Sequence, residues 1–462
     1  MTTTLNPSEP GQAGRQSSFP GARAALVLLL LINLFNYIDR QVLAVVVDSI
    51  QKSFFHNGNA GTASGDLQRL LTWCQAHLGF KPELALLGVL GTAFMVVYTI
   101  GAPVFGRLAE RYSRWALVGV GVILWSLASG ASGLAGGFVA LLLTRCCVGV
   151  GEAAYGPVAP TLISDFYPVK MRGQVLAYFY LAIPVGTALG FVIGDLVAGS
   201  DIGPWGERAL GIHAESWRWA FYVVVVPGIL LGLWSLFMKD PPRGQADLQH
   251  GVGARKVAWR DYGVLLRTPS YVLCTLGMTA MTFAMGGIAF WMPYYLAHKA
   301  GAPNRVKIIF GVVTVVAGLC GTLLGGVVGD KLRPRFTGSY FLVSGVAMLV
   351  GFPFMLLTLH APFHTIWVWL FVAVFCLFFN TGPTNTIIAN VTHPSIRAAG
   401  FALNIFVIHS LGDVLSPVVI GIVSDRYSMN TAFTVAGLMF LVAGIFWLSG
   451  MRFLARDTAL RG

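Results

Sequence analysis

The sequence predicts an all-α polytopic membrane protein, with twelve transmembrane helices in two six-helix bundles and both termini cytoplasmic. Three observations carry this prediction. The 462 residues are 56% hydrophobic and only 11% charged, with a mean hydropathy of +0.71, whereas soluble domains are about 45–50% apolar and about 25% charged. Stretches reaching the roughly 20 apolar residues that cross a bilayer centre near Leu34, Met95, Leu124, Val148, Ile183, Leu230, Met285, Gly318, Ala347, Val374, Ile408 and Leu441. The 31 Lys and Arg residues are also unevenly placed. With the N-terminus inside, 20 lie on inner segments and 9 in outer loops, while Arg40 and Arg145 fall within spans. That bias follows the positive-inside rule, so the net charge of +12 is a topology signal and not evidence of a nucleic-acid partner.

Residues 1–20 are rich in Ser, Thr, Gly and Pro and read as a disordered cytoplasmic N-terminus. No short apolar region followed by a cleavage site appears, so the first span is expected to be retained. The N-terminal bundle covers residues 21–238 and carries an extracytoplasmic insertion at 50–82. Within it, "GDLQRLLTWCQAHLGF" places Leu67, Leu70, Leu71 and Cys74 on one face of a short amphipathic helix, suited to lie on the outer leaflet or to cap a cavity. Residues 239–267, with six Lys/Arg, form the cytoplasmic linker. The C-terminal bundle covers 268–455, and 456–462 form a tail. Of the six cysteines, all but Cys74 fall in spans without metal-ligand spacing, and they read as small packing residues.

The halves are related. "GRLAERYSR" from Gly106 and "GVVGDKLRPR" from Gly326 each place an acid four residues after the glycine and then a base. Arg172 and Arg397 each open a span with small residues following. Two motifs repeating at about half the chain length indicate duplication of a six-span unit.

The stretch Gly106–Arg114 resembles the loop signature of the major facilitator superfamily, G-x-L-A-D-R-x-G-R, with Glu110 at the usual Asp and Ser113 at the usual second Gly. "RCCVGVGEAAYGP" from Arg145 resembles the superfamily's fourth-span motif, and "WRWAFY" at 217–222 the start of its sixth span. More specifically, the chain is similar to the Spinster family through "NYIDR" at 36–40, "KDPPRG" at 239–244, "GGIAFWMPYYL" at 286–296 and the long stretch from Asn380 to Gly421. The resemblance covers essentially all twelve spans. It implies the major facilitator fold, a central cavity bordered by spans one and four, and an amphipathic lipid-like substrate of the lysophospholipid or sphingoid-phosphate type.

A charge at a span centre costs about 2.5–3.5 kcal/mol on insertion scales. Asp39, Arg40, Arg145, Glu152 and Asp413 must therefore find partners or water. Asp39 and Arg40 are adjacent and point about 100° apart on a helix, and Arg145 and Glu152 are two turns apart, roughly 10.5 Å, so each needs a partner from another helix. The resemblance permits Asp39–Arg145 and Arg40–Glu152 contacts, and depth alone does not choose between pairings. These contacts suit ion bridges that merely hold spans one and four together. The favoured reading is coupling, with Asp39 or Glu152 carrying a proton and Arg40 or Arg145 binding an anionic head group. Opposed desolvation and charge effects are what let a conformational change load or release a proton.

Other polar residues have more modest readings. His409 and Asp413, at i and i+4 on span eleven, lack a third ligand or a nucleophile and read as a supporting hydrogen-bonded pair. Asn380, Thr384 and Asn385 are candidates for polar cavity contacts or for helix–helix bonding. Trp291 and Tyr294 lie beside Gly286, Gly287 and Pro293 and suggest an aromatic gate with substrate contact, as opposed to a simple interfacial belt. Gly186, Gly190 and Gly194 form two GxxxG steps for close helix packing. The resemblance makes Gly106, Glu110, Arg111 and Arg114 a latch on the inner gate, with Asp330 and Lys331 its counterpart in the second half.

No phosphate-binding loop, H-E-x-x-H or G-x-S-x-G is present, and Gly149-x-Gly151-x-x-Ala154 lies inside a span with no preceding strand. The sequence thus argues against an enzyme and implies no cofactor or metal. The expectation is a monomeric secondary active transporter of the cytoplasmic or plasma membrane, driven by the proton gradient, with membrane lipids and an amphipathic small molecule as partners. Alternatives are a carrier of other organic anions or hydrophobic drugs, and, less favoured, a lipid sensor or lipid-modifying enzyme.

Overall fold

The computed structural model describes residues 20–56, 64–200, 202–211, 214–243, 259–303, 305–393 and 396–460. Residues 1–19, the linker centre at 244–258 and residues 461–462 lie outside them. Among the described residues twelve helices are long and apolar enough to cross a membrane: span 1 Ala22–Phe55, span 2 Glu83–Ala109, span 3 Arg114–Leu134, span 4 Phe138–Phe166, span 5 Gln174–Ala198 and span 6 Ser216–Leu236, then span 7 Pro269–Ala297, span 8 Val306–Leu332, span 9 Ser339–His360, span 10 Phe363–Val391, span 11 Ala399–Arg426 and span 12 Met429–Ala459. An even number of crossings puts the start of span 1 and the end of span 12 on one side, the proximal end; the other end is called distal.

Small residues set the packing inside the first half. A Cβ on Gly186 would lie 2.6 Å from the carbonyl oxygen of Leu34, and one on Gly190 2.7 Å from that of Ile38. Span 5 therefore rests directly on the backbone of span 1, beside "NYIDR". The dinucleotide-like glycines are also packing residues, since a Cβ on Gly149 would reach the Phe94 carbonyl at 2.6 Å.

Prolines shape spans 10 and 11. A proline ring clashes with the carbonyl four residues earlier. Pro383 points back to Phe379, where the first helix of span 10 ends, and the next begins at Thr381. Pro417 points back to Asp413, the last residue of a π-helical turn His409–Asp413; such turns relieve a broken hydrogen-bond ladder.

Two boundaries differ from expectation. Span 12 stays helical to Ala459, so the tail predicted from 456 is largely helix. The cause is Asp457, 2% exposed, whose Oδ2 accepts the backbone N–H of Ser270 at the start of span 7. In the insertion, helix Ser64–Leu78 buries Leu71 and Cys74 and half-buries Leu67, while Leu70 is exposed beside Trp73. Leu70 lies about 60° off the Leu67–Leu71–Cys74 stripe, so the buried face is narrower than predicted.

The halves meet where span 1 faces span 7, span 2 faces span 11 and span 5 faces span 8. Polar contacts gather towards the distal end. Asp48 pairs with His298 (Oδ1–Nε2, 3.0 Å), Tyr294 donates to the Gln51 side chain (2.8 Å) and Lys307 to the Val45 carbonyl (2.5 Å). Asp425 accepts the N–H groups of Leu84 and Ala85 (3.0 and 2.8 Å), and Thr92 donates to the Val414 carbonyl (2.6 Å).

Candidate functional site: a charge cluster between spans 1 and 4

Span 1 brings Asn33, Asn36, Asp39 and Arg40 into the first half, and span 4 supplies Arg145 and Glu152. Arg40 reaches Glu152 through Nε (2.7 Å) and Nη2 (2.6 Å), and both contacts fall on Oε2. Glu152 Oε1 is buried without a hydrogen-bond partner. Asp39, fully buried, is engaged at one oxygen only: Ser129 of span 3 donates to Oδ1 at 2.5 Å, and Oδ2 has no partner. Arg145, 1% exposed, lies in the field of Asp39 and Glu152, yet among the described residues it forms no direct ion pair with Asp39, and its Nε and Nη1 are unpartnered. Of the two contacts that the resemblance permits, the Arg40–Glu152 bridge is direct, while Asp39 and Arg145 are neighbours without a bond. Ser129 was not foreseen, because a serine on an apolar span has no spacing that identifies its partner.

Aromatic faces enclose the Arg40 guanidinium. Its Cζ is 5.0 Å from the Tyr37 ring centroid and 5.1 Å from those of Phe94 and Tyr98. The Phe94 ring also lies 5.7 Å from Arg145 Cζ. Arg40 is the most accessible member of the cluster, with 18% of its side chain exposed against 1% for Glu152.

The remaining predicted site residues are dispersed. Trp291 is fully buried and donates from Nε1 to the Pro417 carbonyl, tying span 7 to span 11 within the second half. Tyr294, by contrast, crosses between the halves to Gln51. Asn380 and Thr384 are fully buried at the break in span 10. Asn380 donates to the Leu377 carbonyl (2.7 Å) and Thr384 to that of Asn380 (2.9 Å), so both satisfy their own helix. Asn385 is exposed and donates to the Thr381 carbonyl. His409 Nδ1 and Asp413 Oδ2 lie 2.6 Å apart across the π turn, as the i, i+4 spacing suggested.

The signature loop is organised inside its own half. Arg114 pairs with Asp165 of span 4 (2.5 Å) and donates to the Pro241 carbonyl. Asp240 accepts the N–H groups of Arg114 and Trp115, and Ser113 Oγ accepts that of Ala116 (3.2 Å). The departure from glycine at 113 thus supplies an N-cap. Arg243 donates to the carbonyls of Ala109, Glu110 and Tyr112, satisfying the C-terminal end of span 2. Glu110 and Arg111 are exposed, as are Asp330 and Lys331, with Asp330 accepting the Tyr340 hydroxyl (2.8 Å). A Cβ on Gly106 or Gly326 would meet nothing within 4 Å. Asp165, Asp240 and Arg243 were not singled out from sequence; the "DPPR" stretch was a signal without an assigned partner.

Comparison with known proteins matches this architecture. Residues 29–412 fit the family model of the Major Facilitator Superfamily. Human protein spinster homolog 1 is 32% identical over 449 residues, spanning 92% of this chain and 78% of that one. Zebrafish (Danio rerio) protein spinster homolog 3 is 33% identical, over 87% and 77%. Among solved structures, a bacterial homolog of the human lysosomal transporter Spinster, in an inward-facing and occupied conformation, superposes with a TM-score of 0.78 at 22% identity, covering 96% of this chain and 99% of that one. A D-xylose–proton symporter gives 0.71 at 16% identity, over 93% and 98%; both share the fold. The chain belongs to the Spinster family of the major facilitator superfamily and is a multi-pass membrane transporter, not an enzyme.

Proposed function

We propose that this transporter is proton-coupled and moves an amphipathic, lipid-like anion of the lysophospholipid or sphingoid-phosphate type by alternating access. The observation that carries the reading is the half-engaged state of both buried carboxylates: Glu152 and Asp39 each keep one oxygen bonded and one bare. A proton on the bare oxygen removes a charge from apolar surroundings and leaves the bonded oxygen in place. Arg40, the accessible cation of the cluster, is the candidate for an anionic head group. In this conformation Trp291, Asn380 and Thr384 are packed away, so contact with substrate on their part belongs to a different state.

The Lys/Arg bias supports placing both termini in the cytoplasm. The closed distal end is then the outer gate, and the molecule faces inward. The signature loops read as latches that engage when the inner gate shuts, and open space at Gly106 and Gly326 fits their being disengaged. The test is uptake into proteoliposomes under an imposed pH gradient, with lysolipids screened against small organic anions. Lysolipid uptake should respond to the gradient, and Glu152→Gln and Asp39→Asn should abolish that response. Normal transport by both variants with no pH dependence would sink the proposal.

A further inference from the structure

Tyr37, Phe94 and Tyr98 make no contact that the coupling scheme above requires, yet their rings converge on the one cation that it uses. Tyr37 comes from span 1, and Phe94 and Tyr98 are one turn apart on span 2, so three faces reach Arg40 Cζ at 5.0–5.1 Å. An aromatic face attracts a guanidinium through its quadrupole, and the attraction is stronger where water is excluded. This attraction persists when a neighbouring carboxylate is neutral, and it counts for more then, because no anion offsets the charge of the guanidinium.

We infer that the three rings form a cage that positions Arg40 independently of Glu152, so that the guanidinium keeps its place when Glu152 is neutral. The inference rests on the proton-coupled reading of the site. Without the cage, the only strong partner of Arg40 among the described residues is the Glu152 carboxylate. Neutralising that carboxylate would then strand a cation at membrane depth, and protonation would be opposed. With the cage, loading a proton costs one ion pair and not the whole environment of Arg40. Phe94, which also faces Arg145, extends the same support to the second guanidinium. The ionisable groups around Glu152 are Tyr37, Asp39 and Arg40 on span 1, Tyr98 on span 2, Arg145 on its own span and, through Tyr37 and Tyr98, Tyr180 on span 5. Of the neighbours of Arg40, Phe94 holds it by a face alone, while Tyr37 and Tyr98 present a face and carry a phenolic oxygen, which in Tyr98 also bonds the guanidinium.

The experiment is the pH profile of uptake in proteoliposomes, comparing wild type with Phe94→Leu, Tyr98→Leu and the ring-preserving Tyr98→Phe. Thermal unfolding in detergent is measured in parallel. Loss of one desolvated ring should move the midpoint of the profile by about half to one pH unit towards acid. Tyr98→Phe, which keeps the face and loses only the hydroxyl contact with Arg40, should shift the midpoint less than Tyr98→Leu. Leucine variants that lose rate or stability at an unmoved midpoint would show that the rings are packing only and would overturn the cage. A wild-type profile that is flat with pH would instead overturn the coupling scheme and the cage with it, a result distinct from an unmoved midpoint. Should the Leu variants fail to fold, Phe94→Met retains volume without a π face and is read in the same way.

Discussion

At the scale of the residue, Arg40 and Glu152 show what a buried pair does and does not contribute. Removing one partner leaves the other charge uncompensated, which costs about 3–5 kcal/mol, whereas replacing both is often close to neutral. Arg40→Leu should therefore destabilise the protein by about 3 kcal/mol, and the double variant Arg40→Leu/Glu152→Gln should recover most of that loss. Melting in detergent micelles checks both, and equal losses in the single and double variants would mean the pair is not coupled. The need for cross-helix partners was legible in sequence, because adjacent Asp39 and Arg40 diverge on a helix and Arg145 and Glu152 are two turns apart. The assignment of Ser129 to Asp39 was not. A hydroxyl on an apolar span has many candidate acceptors, and only packing selects one.

At the scale of the element, helix ends do much of the work. The first turn of a helix has N–H groups without intrahelical partners and a positive dipole. Asp425 satisfies two of them on span 2, Asp240 two on span 3 and Asp457 one on span 7. Only Asp425 does this between the halves, so it stabilises one conformation of the carrier and not merely one helix. Losing a cap costs about 0.5–2 kcal/mol. Asp425→Ala should therefore shift the population towards the distal-open state by about 2- to 30-fold. Labelling of cysteines placed at the distal seam would read this, and unchanged labelling would refute it. The prolines that break span 10 and give span 11 its π turn stand in the sequence but were not singled out there as breaks. The caps were not legible there, since the partner of each aspartate is a backbone group with no side-chain signature.

For the whole molecule, hydropathy, charge bias and the internal repeat were sufficient to give twelve helices in two related halves, because bilayer thickness constrains every span alike. The conformation was not legible. Which end closes depends on contacts between segments some 250 residues apart, such as Asp48 with His298. That pair should make distal closure responsive to pH. The hydrogen bond that His298 donates to Asp48 is the largest influence on its pKa and holds it above the usual 6.5, against partial desolvation. A raised folded-state value means the contribution is complete below about 6.5 and is lost as pH rises through the raised value. Distances between spin labels at the distal ends of the two halves should lengthen on alkalinisation, and His298→Gln should remove that dependence; a wild-type distance constant from pH 5 to 9 would contradict it. The distal seam has a further property. Asp425, Lys307 and Thr92 all bond to main-chain atoms of the opposite half. One member of each contact is therefore a main-chain group, present whichever side chain stands there and lost only where proline would remove an N–H. Closure strength can drift one side chain at a time, with no matching change required across the seam, and homologues can acquire different gating thresholds while shutting in the same register.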